Sequence, residues 1–223
     1  MPNQFFRVPK ITFIRHAESC WNAPRVRVQG RSPDPSITLT KAGRLSVKPT
    51  LATLSKPRIL LSSPLPRCIQ TAEAWFDLPF ERIPVQTKIC PDLSEIHAGI
   101  YEGRWLNELK NDPLWQQWIS DPMTFPGFPE GETPTEFYER VLRATTAICA
   151  EYGNIKQPVY VITHGVFMRA LKCLLADQDL RHLWTYQVTN LEQIYLSDAQ
   201  ILKFQRSYTH CSISPDNVSP KRF

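Results

Sequence analysis

Apolar residues in this chain gather into short runs separated by polar, proline-rich stretches. Ile11–Ile14, Arg58–Leu61 and Val159–Thr163 are runs of strand length bounded by breakers, the pattern of strands buried on both faces. Gln193–Leu196 reads as a fourth strand near the end of the chain. Between the runs the period changes to that of helices. Thr133-Pro-Thr-Glu136 is a capping box with proline at the first helical position. It launches the stripe Phe137, Val141, Ala144, Ile148 and Tyr152, which stops before Gly153. Pro64 is positioned to open another helix, carrying Ile69, Ala72 and Trp75–Phe76. Strands alternating with helices predict a three-layer α/β/α sandwich with a mostly parallel central sheet.

In such sheets ligands bind at the carboxyl ends of the strands, so the residues just after each apolar run carry the most information. Arg15-His16 follow the first run, Ser62-Ser-Pro-Leu-Pro-Arg67 the second and His164-Gly165 the third. A parallel sheet brings these three ends, with two arginines and two histidines, to one place.

Composition narrows the classes. Hydrophobic residues at 42% and aromatic residues at 11% suffice for a core, and 223 residues make one domain with at most a cap. No apolar run reaches the roughly 20 residues of a spanning helix, and the first ten residues lack the features of a signal peptide. A cytoplasmic protein with no membrane partner is expected. The net charge of +5 includes no Lys/Arg run, and the densest cluster, Arg25, Arg27 and Arg31, is spread over a loop. Nucleic acid is therefore not the expected partner, whereas a small anionic substrate is. The six cysteines form no C-x-x-C pair and read as buried thiols. The five histidines have no metal-ligand spacing, so neither a metal site nor a cofactor is expected.

Taken together, Phe13-Ile-Arg-His-Ala-Glu-Ser-Cys-Trp-Asn22, Leu39-Thr-Lys-Ala-Gly43, Ser62-Ser-Pro-Leu-Pro-Arg-Cys-Ile-Gln-Thr-Ala72, Leu93-Ser-Glu-Ile-His-Ala-Gly-Ile-Tyr-Glu-Gly103, Gly131-Glu-Thr and Ile162-Thr-His-Gly165 resemble the histidine phosphatase superfamily, of phosphoglycerate-mutase-like fold. The resemblance runs from about Ile11 to Leu196. It implies that His16 is the nucleophile that becomes a phosphohistidine. Arg15 and Arg67 would grip the phosphoryl oxygens with planar forks that lysine does not reproduce. His164 resembles the second, phosphate-binding histidine, and Glu95 the proton donor to the leaving oxygen. A dianionic substrate beside Glu95 would hold its proton in place until transfer. Asn22, Gln29 and the backbone at Gly165 resemble groups that line the phosphate site. Glu18 and Glu102 compete with Glu95, although Glu18 is better placed to order the loop after His16, and Glu102 lies in a structural turn.

The departures from the family pattern also inform. Ala17 stands where glycine is usual, which is harmless unless its φ is positive. Pro49 should end or kink the helix after Gly43. Ile96 and Ala98 replace an arginine and a tyrosine that the mutase branch uses on phosphoglycerate, which favours phosphatase over mutase chemistry. The expected activity is metal-independent hydrolysis of small phosphorylated metabolites. Mutase-type transfer and a phosphate- or phosphoprotein-binding module without turnover are the alternatives. Residues 1–206 are expected to form the catalytic domain, with a cap insertion at about 104–132 whose aromatic residues pack onto the body. A polar tail, 207–223, would be frayed or lightly docked. Cys20 is read as a half-buried, inert thiol despite the arginines nearby.

Overall fold

The computed structural model describes residues 10–23 and 26–211, with the side chains of the last helix described as far as Ser207. Arg25 and residues 212–223 lie outside the described residues. Three of the predicted strands form as β1 (Ile11–Arg15), β2 (Ile59–Ser62) and β4 (Val159–Thr163), and nearly every residue in them is buried. They pair parallel and in register, Ile14 opposite Ile162 and Ser62 opposite Ile162, so their carboxyl ends finish level. The sheet order is β3-β2-β4-β1-β5. β5 (Gln193–Tyr195) runs antiparallel beside β1, and β3 (Gln86–Ile89) is a parallel edge strand that the sequence pattern did not reveal.

Alternation along the strands sorts the two outer layers. Ile11, Phe13, Leu61, Val159 and Val161 pack with residues of α4 (Pro134–Tyr152), α5 (Gly165–Leu175) and α6 (Asp198–Cys211). Ile14, Leu60, Tyr160 and Ile162 pack against α1 (Lys41–Leu51) and α2 (Pro66–Phe76). The Thr133 capping box opens α4 as expected, with the hydroxyl accepting from the Glu136 N–H and the Glu136 carboxylate accepting from the Thr133 N–H.

Three expectations need correction. α2 is opened by Pro66 at its first turn rather than by Pro64, because Ser63, Pro64 and Leu65 are spent returning the chain from β2. α1 does not stop short of Pro49 but runs two residues past it. The last helix runs to Cys211. The thiols are less uniformly buried than expected: Cys20 is exposed and Cys90 half-buried, while Cys68, Cys149 and Cys173 are buried. Ala17 has no left-handed backbone, so the alanine there carries no strain. α3 (Pro113–Ser120) carries Trp118, which sits in a ring cluster with Phe125, Phe128 and Trp184. No helix among the described residues is long and apolar enough to cross a membrane.

Candidate active site

The sheet ladder continues one step beyond its strands. The His16 N–H donates to the Thr163 carbonyl at 2.9 Å, and the Ser63 N–H donates to the Ile162 carbonyl at 3.0 Å. The side chains that follow each strand are therefore held by sheet backbone rather than by a loose loop. Thr71 of α2 accepts from the Ala17 N–H at 3.0 Å and donates to the Arg67 carbonyl, tying the turn after β1 to α2. The Asn190 amide donates to the His16 carbonyl at 2.9 Å from the other side.

Two buried imidazoles lie edge to face, their centroids 5.2 Å apart. Their hydrogen bonds fix both tautomers. His16 Nδ1 lies 2.7 Å from the Ala17 carbonyl, which can only accept, so Nδ1 carries the proton and Nε2 keeps its lone pair. Arg67 Nε donates to His164 Nδ1 at 3.1 Å, so the His164 proton sits on Nε2 and points to Ser63 Oγ, 2.7 Å away. Burial, followed by the charges of Arg67 and Arg15, pushes His16 well below the ordinary imidazole value. Burial and then Arg67 do the same to His164. Cys68 is 3.4 Å from His164 Nε2, but burial pushes its thiol up to about 12, which makes it inert.

Arg67 is buried and Arg15 half-buried beside these rings. Arg67 is 1% exposed and anchored through Nη2 to the Gly30 carbonyl at 2.8 Å. Gly30 has φ +47°, and a Cβ there would fall 2.1 Å from the Glu102 carboxylate, so the turn needs glycine. Arg15 donates through Nη1 to the Val188 carbonyl at 2.7 Å. A Cβ on Gly165 would stand 3.2 Å from Arg15 Nε, so glycine lets α5 begin directly beside that guanidinium. Arg15 Nε and Asn22 Nδ2 are both buried with no hydrogen-bond partner in the structure. A buried, unanswered donor costs about 1–3 kcal/mol.

Arg15, Arg67, Asn22, Gln29 and Glu95 line one cavity of about 290 Å³, while His16, His164 and Gly165 stand behind them against the arginines. Ser19 N–H donates to Asn22 Oδ1 at 2.7 Å, which turns the Asn22 amine away from Ser19. Gln29 Oε1 lies 3.0 Å from Ser19 Oγ. Glu95 takes three backbone N–H groups, Ile96 and Phe167 on Oε1 and Val166 on Oε2. It thus bridges its own loop to the first turn of α5. Glu18 accepts from the Thr40 hydroxyl at 2.6 Å, and Glu102 accepts from the Arg31 and Ala98 N–H groups, so both hold loops.

A network absent from the sequence reading supports the Glu95 loop. Arg140, 5% exposed on α4, is bidentate to Glu132 at 2.8 Å for each contact and also donates to the Asp92, Ser94 and Glu95 carbonyls. Arg31 reaches Glu132 at 2.7 Å and the Glu95 carbonyl at 3.0 Å. A signal was present: Arg140 falls between Phe137 and Val141 on the apolar stripe, where a charge needs a buried partner.

At the carboxyl edge of the parallel sheet, one buried and one half-buried guanidinium, two neutral imidazoles and unanswered N–H donors form a set suited to gripping a phosphoryl group. Comparison with known proteins agrees. The chain belongs to the histidine phosphatase superfamily, branch 1, whose family model matches residues 11–199. It is 30% identical over 186 residues to phosphoserine phosphatase 1 of Hydrogenobacter thermophilus, covering 81% of this chain and 82% of that protein. It is 28% identical over 170 residues to a probable phosphoglycerate mutase, GpmB, of Serratia proteamaculans, covering 75% and 73%. The solved structure of Bacillus stearothermophilus YhfR superposes with a TM-score of 0.70 at 25% identity, covering 84% of this chain and 91% of that one.

The neutral buried imidazoles have a consequence for stability. The folded pKa of both is depressed below the ordinary 6.5, so the unfolded chain binds more protons as the pH falls through that value. Stability present above pH 6.5 is then lost at about 1.4 kcal/mol per pH unit for each histidine. Urea denaturation should show a loss of about 2–3 kcal/mol between pH 7 and pH 5.5. A flat stability over that interval contradicts buried neutral rings.

Proposed function

We propose that this enzyme is a metal-independent phosphomonoesterase that acts in the cytosol on a small phosphorylated substrate through a phosphohistidine at His16. Arg15 Nε and Asn22 Nδ2, buried donors without partners at the edge of a cavity that also holds Arg67, carry the reading. A tetrahedral anion with several acceptor oxygens answers both donors at once. His16 Nε2 forms the N–P bond as the ester P–O bond breaks, and the leaving oxygen takes its proton from Glu95. Water then attacks phosphorus and gives a proton to Glu95 as the N–P bond breaks and phosphate departs. Glu95 Oε2, with one N–H donor against two on Oε1, is the freer oxygen for that proton. His164, neutral and hydrogen-bonded to Arg67, holds that guanidinium against the phosphoryl group. Residues 104–132 act as the cap that limits substrate size.

The test is a hydrolysis screen of phosphomonoesters with and without EDTA. Turnover that survives the chelator is expected, because the arginines supply the positive charge. Turnover lost in EDTA and restored by Mg²⁺ or Zn²⁺ contradicts the reading. The likeness to probable phosphoglycerate mutases supports a second reading, and a requirement for 2,3-bisphosphoglycerate would favour it.

A further inference from the structure

Beyond the phosphate end, the wall of the 290 Å³ cavity is apolar: Ile96, Ala98, Val166, Trp115, Ile119 and Trp184 all face it. Several of the polar atoms these residues carry are already engaged. The N–H groups of Ile96 and Val166 are held by Glu95, and that of Ala98 by Glu102. The Trp184 indole N–H donates to the Trp118 carbonyl at 2.8 Å. Among the described residues Arg27 is the one cation lining the cavity apart from Arg15 and Arg67, and its guanidinium lies 3.8 Å over the Trp105 ring and 5.4 Å from that of Trp21. A substrate hydroxyl placed against this wall gives up its water and finds few partners, whereas a methylene gains contact.

We infer that the preferred substrate is the phosphate ester of an apolar alcohol, alkyl or aryl, rather than a sugar phosphate or a phosphorylated hydroxy or amino acid. The inference rests on the phosphomonoesterase reading for the position of the phosphoryl group. The wall then receives the alcohol portion and discriminates by transfer from water.

The experiment compares kcat/KM for ethyl, butyl and hexyl phosphate with that for phosphoserine and glycerol 3-phosphate. The three alkyl esters expel alkoxides of matched basicity, so differences among them report binding, and the less basic leaving groups of the two polar esters would favour those esters rather than the alkyl ones. Each added methylene should raise kcat/KM about fourfold, roughly 10²-fold from ethyl to hexyl. The polar esters should fall at or below the ethyl ester. Ile119 is 38% exposed, and Ile119→Gln should lower the hexyl-to-ethyl ratio, a readout that partial misfolding leaves unmoved. The corresponding alkylphosphonates bind without turnover and should show the same chain-length trend in affinity. Preference for phosphoserine, which would assign Arg27 to a carboxylate, overturns the inference, as does a flat alkyl series. If no ester is turned over, the phosphatase reading fails, and the phosphonate series alone decides whether the cavity selects apolar chains.

Discussion

His16→Ala is expected to reduce turnover of every phosphomonoester by about 10⁴-fold or more while leaving the fold intact. The size follows from the absence of a substitute nucleophile. Ser63 Oγ is 2.7 Å from His164 Nε2, which looks like a serine–histidine pair. Yet Arg67 Nε occupies the His164 Nδ1 lone pair, so Nε2 bears the proton and has no capacity to accept one from Ser63. Cys68 is held as a thiol by its burial. The fold should survive because, among the described residues, His16 fixes no strand through its side chain: its side-chain hydrogen bond is to the adjacent Ala17 carbonyl. Circular dichroism and the thermal midpoint check that part, and a variant with a tenth of the wild-type kcat/KM would remove His16 from the central role.

Glu95→Gln should slow an alkyl phosphate by about 10²–10⁴-fold, the usual value of general-acid assistance. Its effect on p-nitrophenyl phosphate needs separate treatment, because nitrophenolate leaves almost without a proton. The structure adds a complication. Glutamine matches one carboxylate oxygen, so its amine would confront either the Val166 N–H or the Ile96 and Phe167 N–H groups. That loss loosens the first turn of α5 and penalises both substrates alike. Leaving-group dependence therefore separates the two roles. If Glu95 is the acid, the burst of nitrophenol survives while the alkyl ester is strongly slowed, and steady turnover falls because water attack lacks its base. Equal slowing of the burst for both esters reduces Glu95 to a positioning residue that ties its loop to α5.

The legible part of this protein was the part where burial on both faces leaves a run of apolar letters. β1, β2 and β4 stood out for that reason, and once they were placed, the arginines and histidines after them had one place to go. β3 was hidden because it is an edge strand with the sequence Gln-Thr-Lys-Ile and largely exposed side chains, so no alternation marked it. Arg140 was hidden because a charge within an apolar stripe becomes intelligible only when Glu132, eight residues earlier, is seen to fold back onto it. The motif Gly131-Glu-Thr was visible, but its service to the Glu95 loop was not. The aromatic residues between 105 and 128 were read as packing, and Trp118 and Phe128 do pack. They also line the cavity.

The phosphohistidine is the claim on which the rest depends. Brief reaction with a ³²P-labelled ester, followed by denaturation and peptide mapping, tests it most directly. The account predicts an acid-labile, base-stable phosphate on the peptide that contains His16, absent from His16→Ala. An acid-stable label on Ser63, an acyl phosphate on Glu95, or turnover with no trapped label on His16 contradicts it.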